Sequence, residues 1–292
     1  MGVHEQVTKR IILELEKGTA PWMKSWAVPM PYNAASNRRY NGVNVLLLWA
    51  APYSRPAWLT YRQAQELGGQ VRRGETATTI VYVANKTHPV ADEGQGEERK
   101  AKVIPLLCRY YVFNVEQVEG LPKHLYAPPL TLEPNMDAFF SGVGADVRHG
   151  PMPLYNPRED YIALPHPEHF SALEQYYATR LHETVHWTGH PSRLDRQFGK
   201  RFGDHAYAFE ELVAELGSAF LSADLGLKPE LAHQAKYIGE WITILSNDRQ
   251  AIFMAAARAT YAATYLKKLA APEAKPESAV YDGACEEPVI VQ

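Results

Sequence analysis

His182-Glu183-Thr184-Val185-His186 lies within a helical pattern running from about Glu168 to Thr188, with Leu181 and Val185 on its buried side. Histidines four residues apart leave one face of a helix about one turn apart, close enough to share a tetrahedral zinc. Zinc lowers the pKa of bound water to about 7, and Glu183 is the base placed to take the proton as that oxygen attacks a carbonyl. Gly189 and Pro191 end the helix and release the chain to return with a third ligand. Downstream, Glu210-Glu211-Leu212-Val213-Ala214-Glu215 opens a second helical pattern with Val213, Leu216 and Phe220 on its core side. Acids in a first helical turn also complement the helix dipole, and a chance match on an ordinary helix can imitate the histidine spacing. The two together argue for a metal site. Where such a site uses glutamate, the first acid of a pair four apart ligates the metal and the second hydrogen-bonds a ligand histidine. That assigns Glu211 to the ion and Glu215 to a histidine behind it. His190, Asp195 and Glu215 itself are the competing third ligands.

An oxyanion-stabilising donor is also needed, and His205 and Tyr207 are candidates by proximity in sequence alone. The extended segment Tyr161-Ile162-Ala163-Leu164, just before the metal helix, is read as an edge strand on which an extended peptide could add a further strand. The expected ion is zinc, one per chain, with manganese or cobalt able to substitute.

Working outward, the second half is mostly helical. Helices are expected over about Asn135 to Gly142, His205 to Leu225 and, in two pieces broken near Asn247, Pro229 to Leu269; short extended pieces are expected at Met152 to Tyr155 and Asp160 to Leu164. Prolines at 122, 128, 129 and 134 suit a linker. The first half mixes element types. It should hold helices at Val3 to Lys17, Asn44 to Ala51 and Thr60 to Leu67, and hairpin strands at Thr78 to Ala84 and Lys102 to Asn114. The expected fold is therefore α+β in two domains. A small mixed helix and antiparallel-sheet domain occupies 1–122, a linker 123–134, a mostly helical domain 135–270, and a disordered tail 271–292.

Composition narrows the function classes. The longest apolar run, Val43 to Pro52, is far too short to cross a bilayer, and the N-terminus carries Glu5, Glu14 and Glu16, which suits an amphipathic helix and not a secretory signal. Two cysteines, Cys108 and Cys285, exclude a disulfide framework and a cysteine-based zinc site, and a reducing cytoplasm is the expected compartment. The net charge of −3 conceals an asymmetry: 16 Lys and Arg against 11 Asp and Glu through residue 125, and 14 against 22 beyond it. A polyanion-binding half joined to an acidic half fits that division.

In the basic half, Trp22, Trp26, Tyr32, Tyr40, Trp58 and Tyr61 interleave with Lys24, Arg38, Arg39, Arg62, Arg72 and Arg73. Flat rings accept unstacked bases while cations neutralise phosphates, so the mixture suits single-stranded DNA; no motif for reading duplex is apparent.

The chain resembles the plasmid-borne antirestriction proteins of the ArdC type. The resemblance rests on Pro21-Trp22 with Trp26, on Arg39-Tyr40-Asn41-Gly42-Val43-Asn44, and on Trp58 to Ala64 with Gly68-Gly69. In the second half it rests on Tyr177-Ala178-Thr179, on His182 to His190 and on Glu210 to Gly217. It implies an N-terminal domain that binds single-stranded DNA, with Asn44 inside its motif, and a zincin-like metallopeptidase domain. It also implies a role in shielding incoming plasmid DNA from host restriction during conjugation. Two rival expectations accompany it: a DNA-directed peptidase acting on a host restriction protein or another DNA-bound protein, and a non-enzymatic binding protein whose zinc is structural or vestigial.

Overall fold

The structure, a computed structural model, describes residues 2–18, 20–23, 29–88, 102–126, 135–196, 205–227 and 237–271. The expected tail at 271–292 lies outside the described residues beyond Ala271, and so does most of the expected linker, which begins with a short 3-10 helix at Lys123–Tyr126.

The first half contains α1 (Val3–Glu16), β1 (Tyr32–Asn33), α2 (Val43–Trp49), β2 (Ala57–Leu59), α3 (Tyr61–Glu66), β3 (Gln70–Val71), β4 (Thr78–His88), β5 (Lys102–Asn114) and β6 (Val118–Glu119). Its main sheet has the order β1-β2-β5-β4, and β3 pairs with β6 apart from it. Thr78 to His88 pair residue by residue with Val112 to Lys102, so β4 extends past the expected end at Ala84 because its partner continues to offer backbone groups. Thr60 caps α3 by a reciprocal box: its hydroxyl accepts from the Gln63 amide at 3.2 Å, and the Gln63 side chain accepts from the Thr60 amide at 3.0 Å.

The second half contains α4 (Met136–Val143), β7 (Val147–His149), β8 (Leu154–Asn156), β9 (Tyr161–Leu164), α5 (Leu173–Trp187), α6 (His205–Leu225), α7 (Ile238–Asn247) and α8 (Ala251–Ala270). Helix α5 begins later than Glu168, since Pro167–His169 form a separate 3-10 turn before it. The three strands run in the order β7-β9-β8, which corrects the edge-strand expectation for Tyr161 to Leu164. That strand is central. Its backbone is paired with β7 on one side and β8 on the other, leaving it no free edge to offer a peptide.

The result is a two-domain α+β architecture whose apolar core crosses from one half to the other. Val7, Ile11 and Leu15, four residues apart, form the buried stripe of α1, which packs against α7. Trp22 lies against Trp241 with ring centroids 5.8 Å apart, and Trp49 against Phe220 at 5.7 Å. Asp224, near the end of α6, holds both Arg39 from the first half and Lys267 from α8. No helix among the described residues is long and apolar enough to cross a membrane.

Close approach of α5 and α6 depends on Gly217. A Cβ there would meet the two Val185 methyls at 2.9 and 3.0 Å, and a branched side chain on a helix has little freedom to yield. Overpacking of this kind costs about 1–3 kcal/mol, against a helix-propensity gain of up to about 1 kcal/mol. Gly217→Ala is therefore expected to lower the urea midpoint, a result that chemical denaturation of the full chain will check.

Candidate metal centre and nucleic-acid interface

Helical spacing puts His182 and His186 on the side of α5 that meets the first turns of α6, where Glu211 projects. The Nε2 atoms of the two histidines stand 3.1 Å apart. Glu211 Oε2 is 3.5 Å from His182 Nε2, and its Oε1 is 3.6 Å from His186 Nε2. Ligand atoms about 2 Å from a tetrahedral ion are separated by roughly 3.3 Å, so these separations fit one small divalent cation. His182, His186 and Glu211 form the one candidate metal cluster among the described residues, with ligand atoms all within 4.8 Å of one another. His190 and Asp195 lie outside it: the ring of His190 turns back onto Ser192 at 2.8 Å, and Asp195 is exposed in the following turn.

Glu215 stands on the far side of His182, its Oε1 3.5 Å from Nδ1. Glu183 is buried beside the cluster at 8% exposure, and its charge is felt by both His182 and Tyr207. Burial disfavours a charged imidazole, yet Glu211, Glu215 and Glu183 together outweigh it and push His182 up to about 9. Burial likewise works against ionisation of Glu211, and the neighbouring histidines and Tyr207 overcome it, holding that carboxyl down at about 2. Protons and a cation therefore compete for the same nitrogens.

Of the two oxyanion candidates, His205 is exposed at the start of α6, whereas Tyr207 reaches Glu211. Its hydroxyl lies 3.4 Å from that of Tyr237, which the sequence did not mark out because it arrives from the start of another helix. Two further side chains escaped the sequence reading. Glu210 Oε1 lies 3.2 Å from His186 Nδ1, and the guanidinium of Arg196 grips both oxygens of Glu210. The acid-rich run hinted at Glu210; nothing in the sequence pointed to Arg196.

The proposed DNA-contact residues divide sharply. Trp22 and Trp58 are 3% and 2% exposed and belong to the core, so neither ring can stack on a base, a correction to both assignments. Asn44 is also reassigned: its amide donates to the Val81 carbonyl at 2.7 Å and accepts from the Val81 amide at 2.8 Å, tying α2 to β4. Tyr40 is half-buried against two parts of the core, and Arg39 is engaged by Asp224. Lys24 and Trp26 lie outside the described residues. Arg38, Arg62, Arg72 and Arg73 are exposed, with Arg62 paired to Glu66 and Arg72 to Glu75.

Tyr61, 40% exposed, packs on Phe113 at 6.3 Å and accepts from Gln70 at 3.1 Å, close to where Arg72 and Arg73 follow β3. Two residues back along β5, on the same strand face as Phe113, Tyr111 is 56% exposed. Tyr61, Arg72 and Arg73 were expected from composition; Tyr111 and Phe113 were not, because periodicity alone cannot tell which face of a strand stays open.

Fold and site together define a zincin-like protein joined to a sheet-containing N-terminal domain. Residues 134–258 match the zincin-like metallopeptidase family model, and residues 1–113 match the N-terminal domain of the anti-restriction factor ArdC. The chain belongs to the ArdC family of antirestriction proteins. The metal-free crystal structure of ArdC from plasmid R388 is 43% identical, with a TM-score of 0.80 over 92% of this chain and 98% of that one. Its Mn(II)-bound structure is 42% identical, with a TM-score of 0.76 over 93% and 99% of the two chains. An uncharacterized protein, y4eC, of Sinorhizobium fredii is 38% identical over 90% of this chain and 91% of its own length. DNA primase TraC of Escherichia coli is 40% identical over 88% of this chain, which spans only 26% of the primase; a second TraC is 36% identical, with 19% of its length matched.

Proposed function

We propose that this protein binds single-stranded DNA through its N-terminal half, holds a divalent ion between His182, His186 and Glu211 for peptide hydrolysis, and protects incoming plasmid DNA from host restriction. The hydrolytic part is carried by one observation: three ligand-type side chains from two helices converge within 4.8 Å, with a buried glutamate beside them. A bound divalent ion would supply Lewis acidity and lower the pKa of water there. Glu183 would accept the proton, Glu215 would keep the His182 ring oriented, and the Tyr207 hydroxyl would donate to the developing oxyanion. The Mn(II)-bound relative supports a site of this kind.

The DNA-binding part is supported by the basic balance of the first half and by the group formed by Tyr61, Phe113 and Tyr111 with Arg62, Arg72 and Arg73. The two DNA primase relatives, each of which contains a stretch similar to this chain, support the same reading. Stacking on an aromatic ring contributes about 1–3 kcal/mol per base, so Tyr61→Ala and Tyr111→Ala are each expected to weaken single-strand binding by roughly 5- to 150-fold while leaving the salt slope unchanged. Arg73→Ala should instead reduce that slope by about 1. Fluorescence anisotropy across a salt titration distinguishes the two effects. Equal affinity for duplex and single strand would sink the stacking account. For the hydrolytic part, metal-loaded protein should cleave an unfolded polypeptide in the presence of single strands and stop on chelation; no cleavage under any metal loading would overturn it.

A further inference from the structure

We infer that Arg196, acting through Glu210, is a positioning residue for the metal centre. The inference rests on the reading of His182, His186 and Glu211 as ligands. An imidazole can offer Nε2 to a cation only when its proton sits on Nδ1, so whatever faces Nδ1 selects the tautomer and the ring angle. In His186, Nε2 faces His182 and Glu211, and Nδ1 faces Glu210 Oε1 at 3.2 Å. A carboxylate whose two oxygens are gripped by a guanidinium acts toward that nitrogen as an acceptor.

Arg196 supplies this grip. Its Nη2 donates to Glu210 Oε1 at 2.7 Å and its Nε to Oε2 at 3.0 Å, the forked geometry that fixes a carboxylate plane. The same guanidinium reaches back to α5, donating from Nη1 to the Thr188 hydroxyl and from Nη2 to the Val185 carbonyl, both at 2.7 Å. Its backbone amide bonds the Gly189 carbonyl at 2.9 Å, and the Leu194 amide bonds that of Thr188 at 3.0 Å, so the turn after the metal helix is folded against it. Arg196 and Glu210 are 7% and 2% exposed. One buried cation thus joins the end of α5, which carries His186, to the start of α6, which carries Glu211. The two ligand histidines are held differently, His182 by Glu215 from its own partner helix and His186 by an acid that is itself held by a side chain from the connecting turn.

Calorimetric titration of the full chain with zinc and with manganese tests this. Loss of a group that orients a ligand histidine typically weakens metal binding by about 10- to 100-fold. Glu210→Gln and Arg196→Met are each expected to show that loss, with Arg196→Lys recovering part of it. Because a single unpaired buried charge can prevent folding, the double variant Arg196→Met with Glu210→Met is the companion. Paired apolar replacements of a buried ion pair often preserve stability, so it should melt near the native protein yet bind metal as weakly as the single variants. A nitrogen-15 spectrum of the metal-free protein adds a readout that a purely structural role would not move: the native His186 should carry its proton on Nδ1, and the double variant should show a mixture. Metal affinity within twofold of native in the folded double variant, with an unchanged His186 tautomer, overturns the inference. Failure of the native chain itself to bind either metal would instead overturn the underlying assignment of the three ligands, and the inference with it.

Discussion

A Glu183→Gln variant is expected to bind metal and single-stranded DNA as the native protein does while losing peptide cleavage by a factor of about 100 to 10,000, the range that a positioned general base contributes. Glutamine preserves the size of the side chain and its place on α5, so the packing around Leu181, Val185 and Gly217 should not change. What disappears is the capacity to take a proton. The substitution also removes one of the three carboxylates that raise His182, and the same charge attracts a divalent cation, so proton and metal are both held less tightly and the apparent affinity at neutral pH should change little. Restriction protection in the same variant decides between the rival accounts of biological action. Full protection without cleavage would take proteolysis out of the mechanism and leave DNA binding as its basis.

Glu211→Ala should be the most damaging single change at the metal centre. It deletes one of three ligands outright. Zinc sites of several protein ligands are worth about 10–16 kcal/mol near neutral pH, so one ligand of three accounts for a loss on the order of a thousandfold in affinity. Metal-dependent thermal stabilisation should vanish with it: at 1,000 times the dissociation constant a bound ion stabilises by about 4 kcal/mol, and the variant would see almost none of this at the same concentration. Glu215→Ala, which removes only the acid 3.5 Å from His182 Nδ1, should cost no more than about 10- to 100-fold. If the two variants lost metal equally, or if Glu211→Ala bound normally, the assignment of Glu211 as a ligand would fail. A manganese titration followed by thermal melts makes the comparison directly.

The helices of the second half were legible from the sequence because each depends on a local period. The expected span of α6, His205 to Leu225, matches the structure, and the β4 and β5 hairpin was visible from alternation and β-branched residues. Strands β1, β2, β3 and β6, two or three residues each, were not, since so short a segment has no measurable period and is extended only because a neighbour pairs with it. The misreading of Tyr161 to Leu164 as an edge has the same origin. A strand's own residues say which of its faces is apolar, but not whether partners lie on both sides.

The DNA face shows the limit most plainly. Aromatic and basic residues were visible in the first half, yet Trp22 and Trp58 serve the core and Asn44 braces β4, whereas Tyr111 stands open to solvent. Composition does not say which of two similar rings faces inward.

By itself, the sequence determined that a helix would carry two histidines on one surface with a glutamate beside them, because the 3.6-residue repeat makes neighbours of positions three and four apart whatever surrounds them. It also put Glu211 first among the possible third ligands, with His190, Asp195 and Glu215 left as rivals. Only the tertiary structure decided that Glu211 would face the histidines while Glu210, one position earlier, would turn to the back of His186 and meet Arg196. Consecutive helix residues point about 100° apart, and the rotation of α6 about its own axis is set by packing against α5 at Gly217 and Val185, a contact between segments more than thirty residues apart in the chain.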